Sequence, residues 1–380
     1  MEKKLKVLMI GSDRKLFEEG SAVSERIKEY GNLVEELHIV VLAKSRLGLK
    51  EKQLADNVWL YPTNSVARWF YPMDAARVGK RVVSSRTFEK GQSLITTQDP
   101  FECGLAGVLV KGKFNFPLEV QLHTNPFSPY FKGFVNGIRK VVAKKVLPKA
   151  DAVRVVSNEV GEMVKGITKA VVKVLPIYID KRRIMDSRPE FDLHGIYPWK
   201  FILITVSRLT EEKNLSVVLK TLAIVRKKFP ETGLVIVGDG PERGNLKRMT
   251  NKLGLERAVE FAGWQNDTIS YYKSADAFIQ VSAFEGYGLS LVEAGISGLP
   301  VVSTSVGIAQ ELEHNSDALI YPKPDPELFA DGIMELIQNN FKRGSMRINI
   351  VKTLEDKLLS KEDYLVEIKN GWENLVKKSK

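Results

Sequence analysis

Short β-rich runs alternate with helical patterns twice along this chain, once on each side of a stretch broken by prolines. The first series places strands at 6–10, 37–42, 58–61, 94–97, 119–123 and 152–157, with 171–175 as a further candidate, and helices at 21–30, 75–90 and 132–149. The second places strands at 201–207, 234–238, 259–262, 277–281, 301–303 and 318–321, with helices at 216–228, 241–253, 269–274 and 289–297. Such alternation demands a parallel sheet covered on both faces, because a parallel neighbour is reached only by a crossover connection. Between the series, 176–199 holds Pro176, Pro189, Pro198 and Lys181-Arg182-Arg183 with little periodicity. The expected fold class is therefore α/β, with two doubly wound parallel-sheet domains facing a cleft. The expected boundaries are 1–178 for the first domain, 179–199 for a linker, 200–360 for the second domain and 361–380 for a last helix. That helix carries an apolar stripe, Tyr364, Leu365, Ile368, Trp372 and Leu375, and is expected to cross back onto the first domain.

Length agrees with two cores, since 380 residues exceed one ordinary domain. A single cysteine, Cys103, excludes an internal disulfide framework. No apolar run approaches the roughly 18 residues that span a bilayer. The apolar run near the start is short, ends in Gly11-Ser12-Asp13, and reads as a first strand and not a signal peptide, so a cytoplasmic location is expected. The formal charge of +11 is uneven: residues 1–180 hold 29 basic and 19 acidic side chains, against 28 and 27 in the remainder. A basic first half attracts nucleic acid, an anionic membrane or a phosphorylated acceptor, though lysines kept for solubility explain it equally. No recognisable nucleic-acid module accompanies the charge, so no nucleic-acid partner is expected.

Chemistry concentrates in residues 283–304, AFEGYGLSLVEAGISGLPVVST. A strand end running into a glycine-flanked helix start presents backbone N–H groups to an anion. Glu285 and Glu293 can accept bonds from hydroxyls, so an anion joined to a polyol, a sugar nucleotide, is the first candidate ligand. Glu293 has a structural alternative, because Ser290-Leu-Val-Glu293 fits a capping box. Glu285 has none so ready. Arg208 follows the run 201–207 and Lys213 lies five positions on. Together they can clamp a diphosphate, one by its planar fork and the other as a point charge, or they can pair with Glu211 and Glu212 in a solvated loop. Gly238-Asp239-Gly240-Pro241 nearly matches a dinucleotide fingerprint but reads as a tight turn with Pro241 at the first helical position. His123 closes the run 119–123, where a cleft role and a backbone hydrogen bond are equally open. An Asp-x-Asp pair is missing, and four histidines with one cysteine are too few for a zinc site, so no metal is expected.

Four blocks in order carry a resemblance: SRLTEEKN at 207–214, GDGPER at 238–243, EFAGW at 260–264 and FEGYGLSLVEAGISGLPVV at 284–302. They resemble the donor domain of glycosyltransferase family 4, retaining enzymes of the GT-B fold built from two Rossmann-like domains. The resemblance spans the chain but is sharp only beyond about residue 200. It implies that Arg208 and Lys213 hold a donor diphosphate and that Glu293 accepts bonds from ribose hydroxyls. It further implies that Glu285 holds the transferred sugar and that amides around Gly286, Tyr287, Gly288 and Leu289 face sugar and phosphate. The base would lie near Trp264 and Gln265, and His123 would reach the donor sugar. The family's glycine pair in the first loop has two candidates here, Gly11 and Gly20, and the choice stays open. The usual Pro-Asn-Gly before the second domain is replaced by Pro176-Ile177-Tyr178.

The implied reaction moves a sugar, with retention, from a nucleoside-diphosphate sugar to a hydroxyl acceptor that is lipid-linked or carbohydrate, in cell-envelope polysaccharide or glycolipid biosynthesis. No cofactor is expected. Lys132, Arg139, Lys140, Lys144, Lys145 and Lys149 interleave with Phe134, Val135, Ile138, Val141, Val142 and Val146. That pattern fits a basic amphipathic helix on the inner face of the cytoplasmic membrane, and more readily an ordinary helix packed on its sheet with a solvated basic face. Competing readings are a sugar-nucleotide epimerase of the same architecture and a non-catalytic sugar-nucleotide-binding protein. A nicotinamide-dependent oxidoreductase is disfavoured because no true fingerprint follows the first strand.

Overall fold

The computed structural model describes residues 5–378. They divide into two compact units: residues up to 177 together with those from 360 on, and residues 178–359 between them.

The first unit is built on strands β1 (Lys6–Gly11), β2 (Glu36–Val41), β3 (Lys52–Ala55), β4 (Val58–Pro62), β5 (Ser93–Thr97), β6 (Leu118–Leu122), β7 (Ala152–Val155) and β8 (Val171–Val174). Their order is β3-β4-β2-β1-β5-β6-β7-β8. All neighbours are parallel except β3, which lies antiparallel on β4 at one edge. The central strands are buried along nearly their whole length, as strands covered on both faces are. The helix Glu102–Phe114, which no periodicity announced, has no one-sided apolar stripe and buries Cys103, Gly104, Ala106, Gly107 and Val110 in this unit.

The last helix, Lys361–Lys378, belongs to this first unit, and its expected stripe is the buried face: Tyr364, Ile368, Trp372 and Leu375. It lies over a layer of buried polar groups. Glu119 Oε1 accepts from Thr96 Oγ1 at 2.7 Å and from Trp372 Nε1 at 3.3 Å, and Arg154 Nε stands 3.7 Å away. A buried carboxylate needs such partners, because desolvation without them costs several kcal/mol, roughly, per ion.

In the second unit β9 (Phe201–Val206), β10 (Thr232–Val237), β11 (Val259–Gly263), β12 (Ala277–Gln280), β13 (Val301–Thr304) and β14 (Leu319–Tyr321) form one parallel sheet in the order β11-β10-β9-β12-β13-β14. The chain starts at the centre, winds outward one way, then returns to wind the other. The order therefore reverses between β9 and β12, the topological switch point where ligands of doubly wound sheets bind.

The stretch expected as a linker, 179–199, differs from that expectation. It forms two short helices, Lys181–Asp186 and Leu193–Ile196, that pack into the second unit through Ile184, Leu193 and Trp199. Glu190 N donates to Ser270 Oγ at 2.8 Å, and Lys273 Nζ reaches Met185 O at 2.7 Å. These prolines shape a packed segment and not a tether. Pro241 also differs. It stands in a turn ahead of the helix Arg243–Lys252, whose N-cap is Glu242.

The helix Phe134–Val146 buries only Ala143 and Val146. Phe134, Val135, Ile138 and Val141 are exposed, at 79%, 49%, 37% and 53%. The helix packs on its own unit through Ala143, Val146 and the partly buried Val142, and these four side chains stay outside that contact.

Candidate functional site

At the switch point β9 and β12 run side by side, with Ala277 opposite Leu203 and Phe278 opposite Ile204. Their loops therefore leave the sheet together. Backbone ties hold them: Ala283 N donates to Glu212 O at 2.8 Å and Asn214 Nδ2 to Val281 O at 3.3 Å. Asn214 takes a left-handed backbone, φ 50°, which turns the chain from the short 3-10 turn Glu211–Lys213 into the helix Leu215–Lys228. Asparagine tolerates that conformation better than most residues.

Across this junction Lys213 Nζ meets Glu285 Oε1 at 2.6 Å, with both side chains close to 12% exposed. Ser282 Oγ donates to the same oxygen at 2.7 Å. Lys213 is thus not paired with its neighbours Glu211 and Glu212. Arg208 is the residue that takes the local pairing, at 3.4 Å from Glu212 Oε1, and Thr210 Oγ1 donates to that oxygen at 2.7 Å. The Arg208 side chain remains 70% exposed, so its fork is free to turn to a ligand.

Two glycines explain why this loop lies where it does. A Cβ on Gly238, φ 125°, would fall 1.9 Å from Ser207 O, and one on Gly240 would fall 2.4 Å from Leu209 O. The loop after β10 presses its bare backbone against Ser207–Leu209, and Glu242 N donates to Leu209 O at 2.9 Å. It is the tight turn expected, and it buttresses the segment that carries Arg208.

The capping box expected at Ser290 and Glu293 is not formed. The helix Leu289–Ile296 is capped two residues earlier, with Gly288 as N-cap at φ 99° and no side chain bonding the first turn. A left-handed cap suits glycine and leaves those first amides without a side-chain acceptor. Glu293 is held differently: the hydroxyl of fully buried Tyr272 donates to Oε2 at 3.3 Å. Burial raises the carboxyl above the ordinary carboxylate range, with Tyr272 and the charge of Arg183 opposing the rise. Leu289 stays partly exposed and Tyr287 is buried. Tyr287 O accepts from Ile308 N at 2.7 Å, and Gly307, φ 57°, is required because a Cβ would lie 2.4 Å from that same oxygen.

Trp264 lies just beyond β11 at the same sheet edge, its ring 71% exposed, and Gln265 Nε2 folds back to Ala262 O at 2.7 Å. The second unit thus brings Arg208, Lys213, Glu285, Gly286, Tyr287, Gly288 and Leu289 to the switch point, with Glu293 on the helix that follows. Ser282, Tyr272, Asn214 and Gly307 complete the construction and were not singled out in the sequence, since no local pattern marks them.

Two residues belong to the first unit. Gly11 ends β1, where a Cβ would strike Gln98 Oε1 at 2.2 Å, so it has a packing reason. The rival Gly20 precedes Ser21, which caps the helix Ala22–Gly31 by accepting from Ser24 N at 3.2 Å. His123 stands one residue beyond β6 and is exposed as a residue, although protein atoms crowd its ring. That desolvation and the charges of Arg154 and Arg26 hold the imidazole down at about 4. Among the described residues no three His, Cys, Asp or Glu side chains gather in a metal-ligating arrangement, and no helix is long and apolar enough to cross a membrane.

The family described as glycosyl transferases group 1 matches residues 186–353, nearly the whole of the second unit. The second unit belongs to the glycosyl transferases group 1 family. Over longer stretches the chain is 30% identical to alpha-monoglucosyldiacylglycerol synthase of Streptococcus pneumoniae, across 55% of this chain and 51% of that one. It is 27% identical to an uncharacterized glycosyltransferase of Methanocaldococcus jannaschii, across 57% and 56%. The match thus spans about half the length of these relatives. Among solved structures, Anabaena HepE in complex with UDP and glucose superposes with a TM-score of 0.75 at 20% identity, covering 98% of this chain and all of that one. Sucrose-phosphate synthase from Thermosynechococcus elongatus superposes at 0.77 and 17%, covering 99% and 100%. At such identities the likeness establishes the fold alone: GT-B, with two Rossmann-like domains.

Proposed function

We propose that this chain is a retaining glycosyltransferase that uses a nucleoside-diphosphate sugar and acts on a hydroxyl acceptor of a glycolipid or cell-envelope polysaccharide. The carrying observation is the Lys213–Glu285 pair at 2.6 Å, set beside the exposed Arg208 at the switch point of a group 1 domain. The names of relatives favour the class: one makes monoglucosyldiacylglycerol, another serves lipopolysaccharide core biosynthesis in Rhizobium meliloti, and a structural neighbour holds UDP and glucose.

In the reaction so read, the anomeric carbon–oxygen bond to the diphosphate breaks and charge grows on the leaving phosphate. Arg208 and Lys213 stabilise that charge, and the amides at Gly286–Leu289 add fixed dipoles that need no reorganisation. Glu285 orients hydroxyls of the transferred sugar, Glu293 accepts from the ribose, and Trp264 offers a flat face to the base with Gln265 beside it. His123 serves the donor sugar as a neutral imidazole. The acceptor hydroxyl forms the new bond on the face being vacated and gives its proton to a leaving phosphate oxygen. No protein nucleophile is needed, and two protein cations take the neutralising role that a metal plays elsewhere.

A peripheral seat on an anionic membrane fits the helix Phe134–Val146, whose exposed apolar side chains stand among Lys132, Arg139, Lys140, Lys144 and Lys145. The test of the reading is transfer itself. Incubation with a panel of sugar nucleotides and extracted lipid acceptors should give one glycosylated product whose anomeric proton shows the donor's configuration. An inverted product, or a free epimerised sugar nucleotide, would contradict it.

A further inference from the structure

The first unit holds two adjoining cavities of opposite character. The smaller, about 220 Å³, is lined by Arg14, Lys44, Arg46, Leu47, Arg68 and Tyr71. Its residues come from the segments after β1, β2 and β4, at the C-terminal edge of the first sheet. Ser45 N donates to Ser65 O at 3.0 Å and Lys44 bridges to Ser65, so the two outer segments are fastened together. No acid lines the cavity, and among the described residues none of its four cations stands within ion-pair distance of a carboxylate. Four like charges gathered without a counter-charge repel one another, and an anion relieves that repulsion.

The larger cavity, about 310 Å³, has Arg68 and Trp69 in its wall. Phe101, Leu105, Val135, Ile138 and Val142 form most of its wall. Its other charges cancel: Arg139 grips Glu102 with two nitrogens at 2.7–3.2 Å and lies over the Phe101 ring at 5.5 Å. Trp69 of its wall is 64% exposed, and so are Phe70, Met73 and Phe134, next in sequence to its lining residues, at 55%, 64% and 79%. Arg68 lines both cavities.

We infer that the two cavities together bind one monomeric lipid whose phosphate headgroup carries a net negative charge, the phosphate among Arg14, Lys44, Arg46 and Arg68 and the hydrocarbon chain in the groove that shares Arg68. Charge complementarity commits the occupant. An uncharged lipid leaves the cations unanswered, and an inorganic anion leaves the apolar groove and the exposed Trp69 of its wall in water. Guanidinium forks hold phosphate oxygens in pairs, while the groove removes apolar surface from water. The inference rests on the proposed function only in naming the lipid as acceptor; binding itself requires no donor.

The test uses the full chain with two short-chain lipids below their micellar concentrations, dihexanoylphosphatidic acid and dihexanoylphosphatidylcholine, and with inorganic phosphate. Trp69 fluorescence reports the groove, and Trp69→Phe identifies its share among the five tryptophans. Phosphatidic acid should bind about tenfold or more tightly than phosphatidylcholine, in a salt-dependent manner, and should shift Trp69 emission to the blue. Phosphate alone should leave Trp69 unchanged. Lys44→Gln with Arg46→Gln, the first half-buried and the second exposed, should erase the headgroup preference, and Ile138→Asn should weaken both lipids. Equal binding of the two lipids would reduce the site to an apolar patch. Phosphate binding as tightly as phosphatidic acid would reduce it to an anion site. Response to anionic bilayers alone, with no response to monomers, would make it a membrane-facing surface. Each of these overturns the inference. Nucleoside-diphosphate binding, measured on the same samples, separates the two proposals: its loss with lipid binding intact sinks the donor reading alone, and the reverse sinks this one alone.

Discussion

Lys213 Nζ lies 2.6 Å from Glu285 Oε1, joining residues 72 positions apart across the junction of β9 and β12. A pair this deep is asymmetric in its energetics. Removing one partner leaves the other charged and poorly hydrated, whereas removing both charges together is far milder. Lys213→Met alone should therefore lower stability by about 3 kcal/mol, near the lower end for buried pairs because some solvent contact persists. Lys213→Met with Glu285→Gln should recover most of that loss in a denaturant melt while transfer stays abolished. A double variant as unstable as the single one would mean that the pair is not coupled.

Arg208 separates function from stability. Its side chain is 70% exposed and its single ion pair is the long one to Glu212. Arg208→Ala should leave the melting transition within about 0.5 kcal/mol of the parent. Turnover should fall about 10²–10³-fold, the range for removing one group that stabilises developing charge. Normal turnover with an identified donor would remove Arg208 from the mechanism.

The loop that supports Arg208 should be intolerant of a methyl group. Gly240→Ala drives a Cβ to 2.4 Å from Leu209 O, backbone against backbone. The variant should melt at a lower temperature and lose donor affinity together, because the segment carrying Arg208 has to shift. Gly244→Ala, four residues on and with open space around it, is the control and should change neither.

Glu293 makes stability depend on pH in a defined sense. Its carboxyl titrates above its ordinary value of 4.5, chiefly because it is buried. The folded state therefore holds the proton more tightly than the unfolded chain does. The stability this group contributes is present below pH 4.5 and is lost as pH rises through the raised folded value. Glu293→Gln should flatten that part of the stability profile, and a profile unchanged by the substitution would contradict the assignment. His123 runs the other way. Its imidazole is held at about 4, so the chain loses stability as pH falls from 6.5 toward 4. Proton NMR should show a histidine resonance titrating near 4 that His123→Gln removes.

Much of this was legible in the sequence for a plain reason. Strands buried on both faces read as continuous apolar runs, and every strand of the second sheet falls within a few residues of its expected place. What escaped detection lacked such a signal. The edge strand β3, Lys52–Ala55, is short and polar, and the helix Glu102–Phe114 has no one-sided apolar stripe, so neither shows a period. Ser290 mimicked a cap because its spacing to Glu293 was right, yet the left-handed Gly288 starts the helix instead. The partner of Lys213 was not readable at all. Glu211 and Glu212 are its neighbours along the chain, and only the strand order brings Glu285 to it. Chemistry-bearing residues were thus visible one by one, and their pairing was not.

Calorimetric titration of the full chain with uridine, guanosine, adenosine and thymidine diphosphates tests the donor site most directly. One of the four should bind, and Arg208→Ala and Lys213→Met with Glu285→Gln should each weaken that binding about tenfold or more, the equivalent of about 1.4 kcal/mol. Failure of all four to bind, or affinity unchanged in both variants, would contradict a diphosphate clamp at the junction of β9 and β12.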